Sequence, residues 1–221
     1  MFRNVIHFPS RPGGGRHLQP LAEIESYWHV RAAGRPMPDR AEIGPHGMEA
    51  ALPHALLLER IAPGIGRLRL AGQHLRDLMG MELRGMPMSA LFEPEARAAL
   101  AEAIDRALDL PALVHVDLSA APGLGRPALA GRLFLAPLAS ATGRPKMLLG
   151  GLVVTGAAGR TPRRLGVDAV SVRPLEEAPG PSRCYTPPQA VEPANAVDAG
   201  VPERQRPDAA RPALRLVSSG A

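Results

Sequence analysis

The feature that most constrains this chain is one long amphipathic helix set between two groups of strands. Residues 94–109, PEARAALAEAIDRALD, put Ala96, Ala99, Leu100, Ala103, Ile104, Ala107 and Leu108 at the i, i+3, i+4 spacing of a single apolar face. Pro94 stands near the first helical position, where a missing N–H costs nothing, and Glu95 lies at the positive end of the helix dipole. Before this helix, residues 54–61 (HALLLERI) and 67–71 (RLRLA) read as strands, and Pro63-Gly64 with Gly66 joins them as a hairpin. After it, residues 112–118, 128–136 and 146–155 read as three more strands, separated by turns rich in Pro and Gly. Two strands, a helical crossover and a three-strand meander imply an α+β fold, a five-stranded antiparallel sheet with its helices on one face.

The flanking segments are less regular. Residues 19–33 read as a helix with Leu21, Ile24 and Trp28 on one side, stopped by Gly34 and Pro36. Residues 35–53 read as a loop with one helical turn near 48–52, and residues 73–92 as short helical pieces broken at Gly80 and Gly85. Residues 1–17 are expected to be a flexible leader, with a short strand or docking segment as the alternative. Residues 157–221 are rich in proline and poor in aromatics, a composition that buries too little apolar surface to offset its ordering entropy. The expected organisation is therefore a leader over 1–17, one domain over 18–156 and a mostly disordered tail over 157–221. Within that tail Ala213–Val217, ALRLV, is either a docking peptide, an added edge strand or a chance apolar run.

Composition excludes several function classes. The net charge is +5, but the arginines are spread along the chain among acidic residues, and Lys146 is the only lysine. That is not the concentrated patch a nucleic-acid binder uses, so no nucleic-acid partner is expected. Cys184 is the only cysteine, which rules out an intramolecular disulfide and a cysteine zinc cluster. The seven histidines show no i, i+4 pair. There is no apolar run long enough to span a membrane and no signal-peptide core, so a cytoplasmic location is expected. Gly13-Gly14-Gly15-Arg16 lacks the ending of a phosphate loop, and there is no G-x-S-x-G elbow. No catalytic residue and no metal site are expected.

The element order resembles the PAS fold. Particular residues resemble the PAS_5-type proteins of alphaproteobacteria: Tyr27-Trp28 on the first helix, the segment Arg35 to Pro45, Leu52-Pro53 before the first strand, Arg69 to Leu75, and the step Gly80 to Gly85. The likeness covers residues 18–156. The chain departs from the pattern at Met81-Glu82, where Arg and Asp are usual. This resemblance implies a sensory or adaptor protein in signal transduction, not an enzyme, acting by ligand or protein binding with no output domain attached. A small apolar metabolite binder without a signalling role is the alternative.

Element position then suggests sites. His74, Met79, Met88, Phe92 and Phe134 are the expected lining of a ligand pocket between helices and sheet. Met79, Met81, Met86, Met88 and Met147 cluster around the crossover, where methionine suits either an adaptable pocket or ordinary core filling. His74 reads either as a haem ligand or as a polar residue capping a strand end, and the second is favoured. Cys184 lies too far from the crossover to form a flavin adduct, so no cofactor is expected. Tyr27 and Trp28 read either as packing across the outer sheet face or a contact with a dimer mate or partner, or as plain core anchors. The expected partners are an unidentified protein, a second copy of the chain and a small apolar ligand.

Overall fold

A computed structural model describes residues 17–140 and 145–175. The first helix, α1, spans Gln19–Ala32, with Pro20 in its first turn, and ends on Ala33 in the left-handed region, whose N–H reaches the carbonyl of His29. The hairpin follows as β1 (Ala55–Ala62) and β2 (Ile65–Ala71), joined by Pro63-Gly64. The crossover holds α2 (Gln73–Met79), a 3₁₀ turn at Met88–Leu91, another at Pro94–Ala96, and α3 (Arg97–Asp109). The first turn of the long amphipathic segment is thus 3₁₀ rather than α. The meander is β3 (Ala112–Ala120), β4 (Leu129–Leu138) and β5 (Met147–Thr155).

A sixth strand, β6, spans Gly166–Pro174 and pairs with β3. The sheet order is β2-β1-β5-β4-β3-β6, with every neighbouring pair antiparallel. The expected strand count of five is corrected to six, and the expected tail from residue 157 is corrected over residues 157–175. Val167, Val170 and Val172 pack on the core, but the pairing slips between Asp117 and Leu118, opposite Ala169 and Val167. That bulge breaks the period-two alternation that would reveal a strand. The expectations for residues 1–16, 176–221, Cys184 and the 213–217 segment lie outside the described residues.

The alternation of the strands builds two cores. On the inner face Leu56, Leu58, Leu68, Leu133, Leu135, Leu148 and Leu152 meet α2, the 88–92 turn and the apolar side of α3. On the outer face Leu57, Leu113, Phe134, Ala136, Leu149 and Val153 meet α1 through Leu21, Ile24, Tyr27 and Trp28. The crossover helices therefore lie on one face, as expected, and α1 covers part of the other.

The backbone is tightest where β2 turns into α2. A Cβ at Gly72 would lie 2.2 Å from the carbonyl oxygen of Pro53 and 2.5 Å from that of Leu52. The Gly72 N–H donates to Ala55 O at 2.8 Å. Only glycine lets the chain pass so close to another backbone while making that bond.

Candidate functional site

The inner face is where helices and sheet enclose side chains, and Met79, Met88 and Phe92 all point into it. Met88 and Phe92 are fully buried and Met79 nearly so. They join Leu56, Leu75, Leu83 and Leu91 in one apolar cluster. Met86 is partly buried against the same cluster, whereas Met81 is 45% exposed and Met147 packs on the outer face. The methionine cluster of the sequence is thus divided by the fold.

Phe134 does not join them. It is fully buried on the outer face, where its ring lies 5.0 Å from that of His115 and packs under α1. Its neighbours Leu133 and Leu135 face inward. Side chains alternate across a strand, so a one-residue difference in register moves a residue to the other core. Phe134 is therefore corrected from the inner lining to the outer core.

His74 sits at the rim of the inner face, on the first turn of α2. Its Nε2 accepts a hydrogen bond from Val154 N–H at 3.0 Å. The ring of His54 lies 4.5 Å away, and His54 Nδ1 is 3.3 Å from Leu152 O, to which it donates as the Nδ1–H tautomer. The reason lies in the register. β1 stops pairing with β5 at Ala55 opposite Gly151, so Leu152 and Val154 have lost their strand partner on that side. The two imidazoles supply the missing acceptor and donor. Burial, and secondarily His54, push the His74 pKa below its ordinary value; Asp77 opposes them. A cleft of about 50 Å³ opens beside this pair, lined by His74, Asp77, Leu78, Leu129, Val154, Gly156 and Ala158. That is room for a water molecule or two, at about 30 Å³ each.

Tyr27 and Trp28 are buried in packing across the outer sheet face, which corrects the partner contact among the expected readings and matches the packing one. Trp28 donates through Nε1 to Pro137 O at 2.9 Å, and Tyr27 Oη accepts from Gly44 N–H at 3.0 Å. An amphipathic aromatic with its polar atom paired inside the chain is an anchor. Beside α1 the outer face turns polar. Glu25 binds Arg173 of β6 at 2.7 Å and lies 3.5 Å from His115 of β3. Arg132 pairs with Asp117 at 2.7 Å, and Ser119 donates to Asp168 at 2.7 Å. Burial lowers the pKa of His115, opposed by the nearby Glu25 carboxylate.

A family model described as a PAS domain, PAS_5, matches residues 16–153. The chain belongs to the PAS_5 family of PAS domains. Its fold is the PAS fold, a type of domain associated with sensing, here with β6 added beside β3. Two similar solved structures are both of light-oxygen-voltage proteins. One is the light state of the blue-light photoreceptor Aureochrome1 LOV, 14% identical, with 49% of this chain matched to 86% of that one at a TM-score of 0.35. The other is an RNA-binding light-oxygen-voltage receptor, 19% identical, with 52% of this chain matched to 34% of that one at a TM-score of 0.36. No curated protein matches the sequence. Among the described residues, no helix is long and apolar enough to cross a membrane, and no three His, Cys, Asp or Glu side chains converge as metal ligands would.

Sequence reasoning missed His54 as the mate of His74, Glu25 as the link between α1 and β6, and Arg163. His54 and His74 are twenty positions apart and meet only because β1 ends at Ala55. Nothing in their spacing reveals that.

Proposed function

We propose that this PAS domain is a cytoplasmic, non-catalytic sensory or adaptor module in signal transduction. Its input is a small apolar ligand entering among Met79, Met88 and Phe92, and its output is a contact with a protein partner or a second copy. The observation that carries this reading is the pair of methionines on the inner face, between the sheet and the crossover. Methionine has three rotatable bonds and no branch, so it yields to an incoming apolar group at lower cost than leucine or phenylalanine. The crossover is joined to β5 through His74, so repacking on the inner face would be felt at the sheet. Ligand binding would bias whichever arrangement it fits better.

Native mass spectrometry of the chain, purified from a bacterial host and incubated with an apolar extract of that host, tests the reading. The expected result is a retained mass of a few hundred daltons that is lost in Met88→Phe, where a stiff ring fills the same space. A bare chain under conditions that preserve the fold, together with an unchanged amide-exchange pattern in α2, would overturn the ligand input.

A further inference from the structure

A cleft of about 590 Å³ lies outside the inner core, at the end of β3. One wall comes from the segment before α3, with Glu93 and Glu95. The other comes from the β3–β4 loop, with Arg126, and from the segment leading into β6, with Arg163 and Arg164. Arg163 is the single buried charged side chain among the described residues, 2% exposed. Its guanidinium donates at 2.7 Å to Ala158 O and at 2.7 Å to Pro127 O, both neutral carbonyls. Arg126 donates through Nε to Arg160 O at 3.2 Å. Among the described residues, none of the three arginines and neither glutamate takes part in an ion pair. A buried charge with no counter-ion is costly, and ligand sites are where such charges are kept.

Each sign of charge comes from its own elements, the glutamates from the segment before α3 and the arginines from the β3–β4 loop and the segment leading into β6. The Glu93 amide donates to Leu165 O at 3.0 Å, so Glu93 lies beside residue 165. The Arg163 side chain reaches Pro127 O, next to Arg126 in the chain. A purely anionic ligand would meet two unpaired carboxylates, and a purely cationic one would meet three guanidinium groups. A ligand with both charges, held apart, satisfies both sides. The cube root of the volume gives a mean width of about 8 Å, or two to three residues of extended chain at about 3.4 Å each. The volume also falls within the range of small-molecule sites.

We infer that this cleft binds a short peptide with free termini, its carboxylate against Arg126 and Arg164 above Arg163, and its ammonium against Glu93 and Glu95. The site is separate from the methionine-lined interior, and its occupancy would bear directly on how the segment before β6 sits against α3.

The test is an amide NMR titration of the full chain with triglycine, N-acetyl-triglycine and triglycinamide. Triglycine should shift the amides of residues 93–96, 120–126 and 158–165 saturably, with a Kd of about 1 mM, and each capped form should bind at least about 10-fold more weakly. In the R126Q/R164Q double variant triglycine should bind no better than triglycinamide. In E93Q/E95Q it should bind no better than its acetylated form. Arg163 is left intact, and the same spectra check the fold of each variant. Absence of a saturable shift would overturn the inference. So would equal binding of the acetylated peptide to the unaltered chain, the mark of an anion site in which the glutamates take no part.

Discussion

Trp28→Phe tests the anchoring of α1 on its own sheet against a contact with another molecule. The indole is 1% exposed and its N–H is 2.9 Å from Pro137 O. Phenylalanine keeps most of the apolar area but cannot donate. Losing the bond costs about 1 to 3 kcal/mol, according to how far water reaches the freed carbonyl. The missing ring atoms add about 1 kcal/mol through lost burial and incomplete collapse. The expected loss is about 2 to 4 kcal/mol, against about 3 to 5 for Trp28→Ala. With a urea m value of about 2 kcal/mol per molar, the unfolding midpoint of Trp28→Phe should fall by about 1 to 2 M. Far-UV circular dichroism reads this without needing the chain's only tryptophan. The measurement is repeated at two protein concentrations well apart. If Trp28 anchors α1 within one chain, the midpoints do not move with concentration. A midpoint that rises with concentration in the unaltered protein, and loses that rise in Trp28→Phe, is what mass action demands of a dimer contact. That result, or a shift below about 0.3 M, would refute the anchoring argument.

Burial lowers the His74 pKa below the free value of 6.5, so the unfolded chain binds more protons than the folded one as pH falls through 6.5. Stability should be full above that value and decline on acidification until the folded pKa is passed; His74→Gln, which keeps an acceptor for Val154 but cannot titrate, should reduce the slope of thermal midpoint against pH. His115 shifts in the same direction, so some slope should remain in that variant and shrink further in His74→Gln/His115→Gln. Gly72→Ala forces a methyl group into the carbonyls of Leu52 and Pro53, and denaturant titration should show a loss of about 3 kcal/mol or more, well beyond an ordinary glycine replacement. A chain ended after Gly156 lacks β6 and uncovers Leu118, Val116 and Val114 along β3; it should unfold at lower urea than one ended after Leu175, and equal midpoints would show that β6 adds nothing.

The elements best read from sequence are those with an unbroken apolar signal. α3 carries one helical face throughout, and β1 and β5 are short apolar runs buried on both faces, with boundaries within a residue of expectation. β6 escaped for two physical reasons. Its bulge puts Val167 out of phase with Val170 and Val172, and its nine residues lie in a proline-rich stretch whose average composition hides them. For the expected lining residues, burial was legible and face was not. Met79, Met88 and Phe92 reach the inner core because the crossover as a whole packs there. Phe134 depends on the phase of one strand, and the aromatic residue alone does not carry that information. Trp28 shows the same limit from the other side. A tryptophan on an amphipathic helix is equally suited to a sheet or a partner, and only the position of the Pro137 carbonyl decides it.

The residues that make the family recognisable explain why the fold is clearer than the ligand. Arg35 binds Glu42 at 2.6 Å and pins the loop after α1. Tyr27 holds that loop at Gly44. Leu52-Pro53 and Gly72 form the close crossing at the entrance to α2. Gly80 ends α2 with a φ of 69°, and a Cβ there would also lie 2.6 Å from Thr161 Oγ1. Arg35 and Tyr27 fix the backbone after α1, and Pro53, Gly72 and Gly80 fix it around α2. Leu75 and Leu83, from the same recognisable segments, do line the inner core, and Met79, Met88 and Phe92 line it from positions between those segments. A backbone device admits one or two residue types, because left-handed or crowded geometry excludes the others. An apolar lining tolerates many residues of similar volume. Backbone devices therefore specify the frame, while an apolar lining constrains volume more than residue type. Under the proposed function, substitutions at Met79 and Met88 should change ligand retention while leaving the fold intact, and substitutions at Gly72 should destabilise the fold.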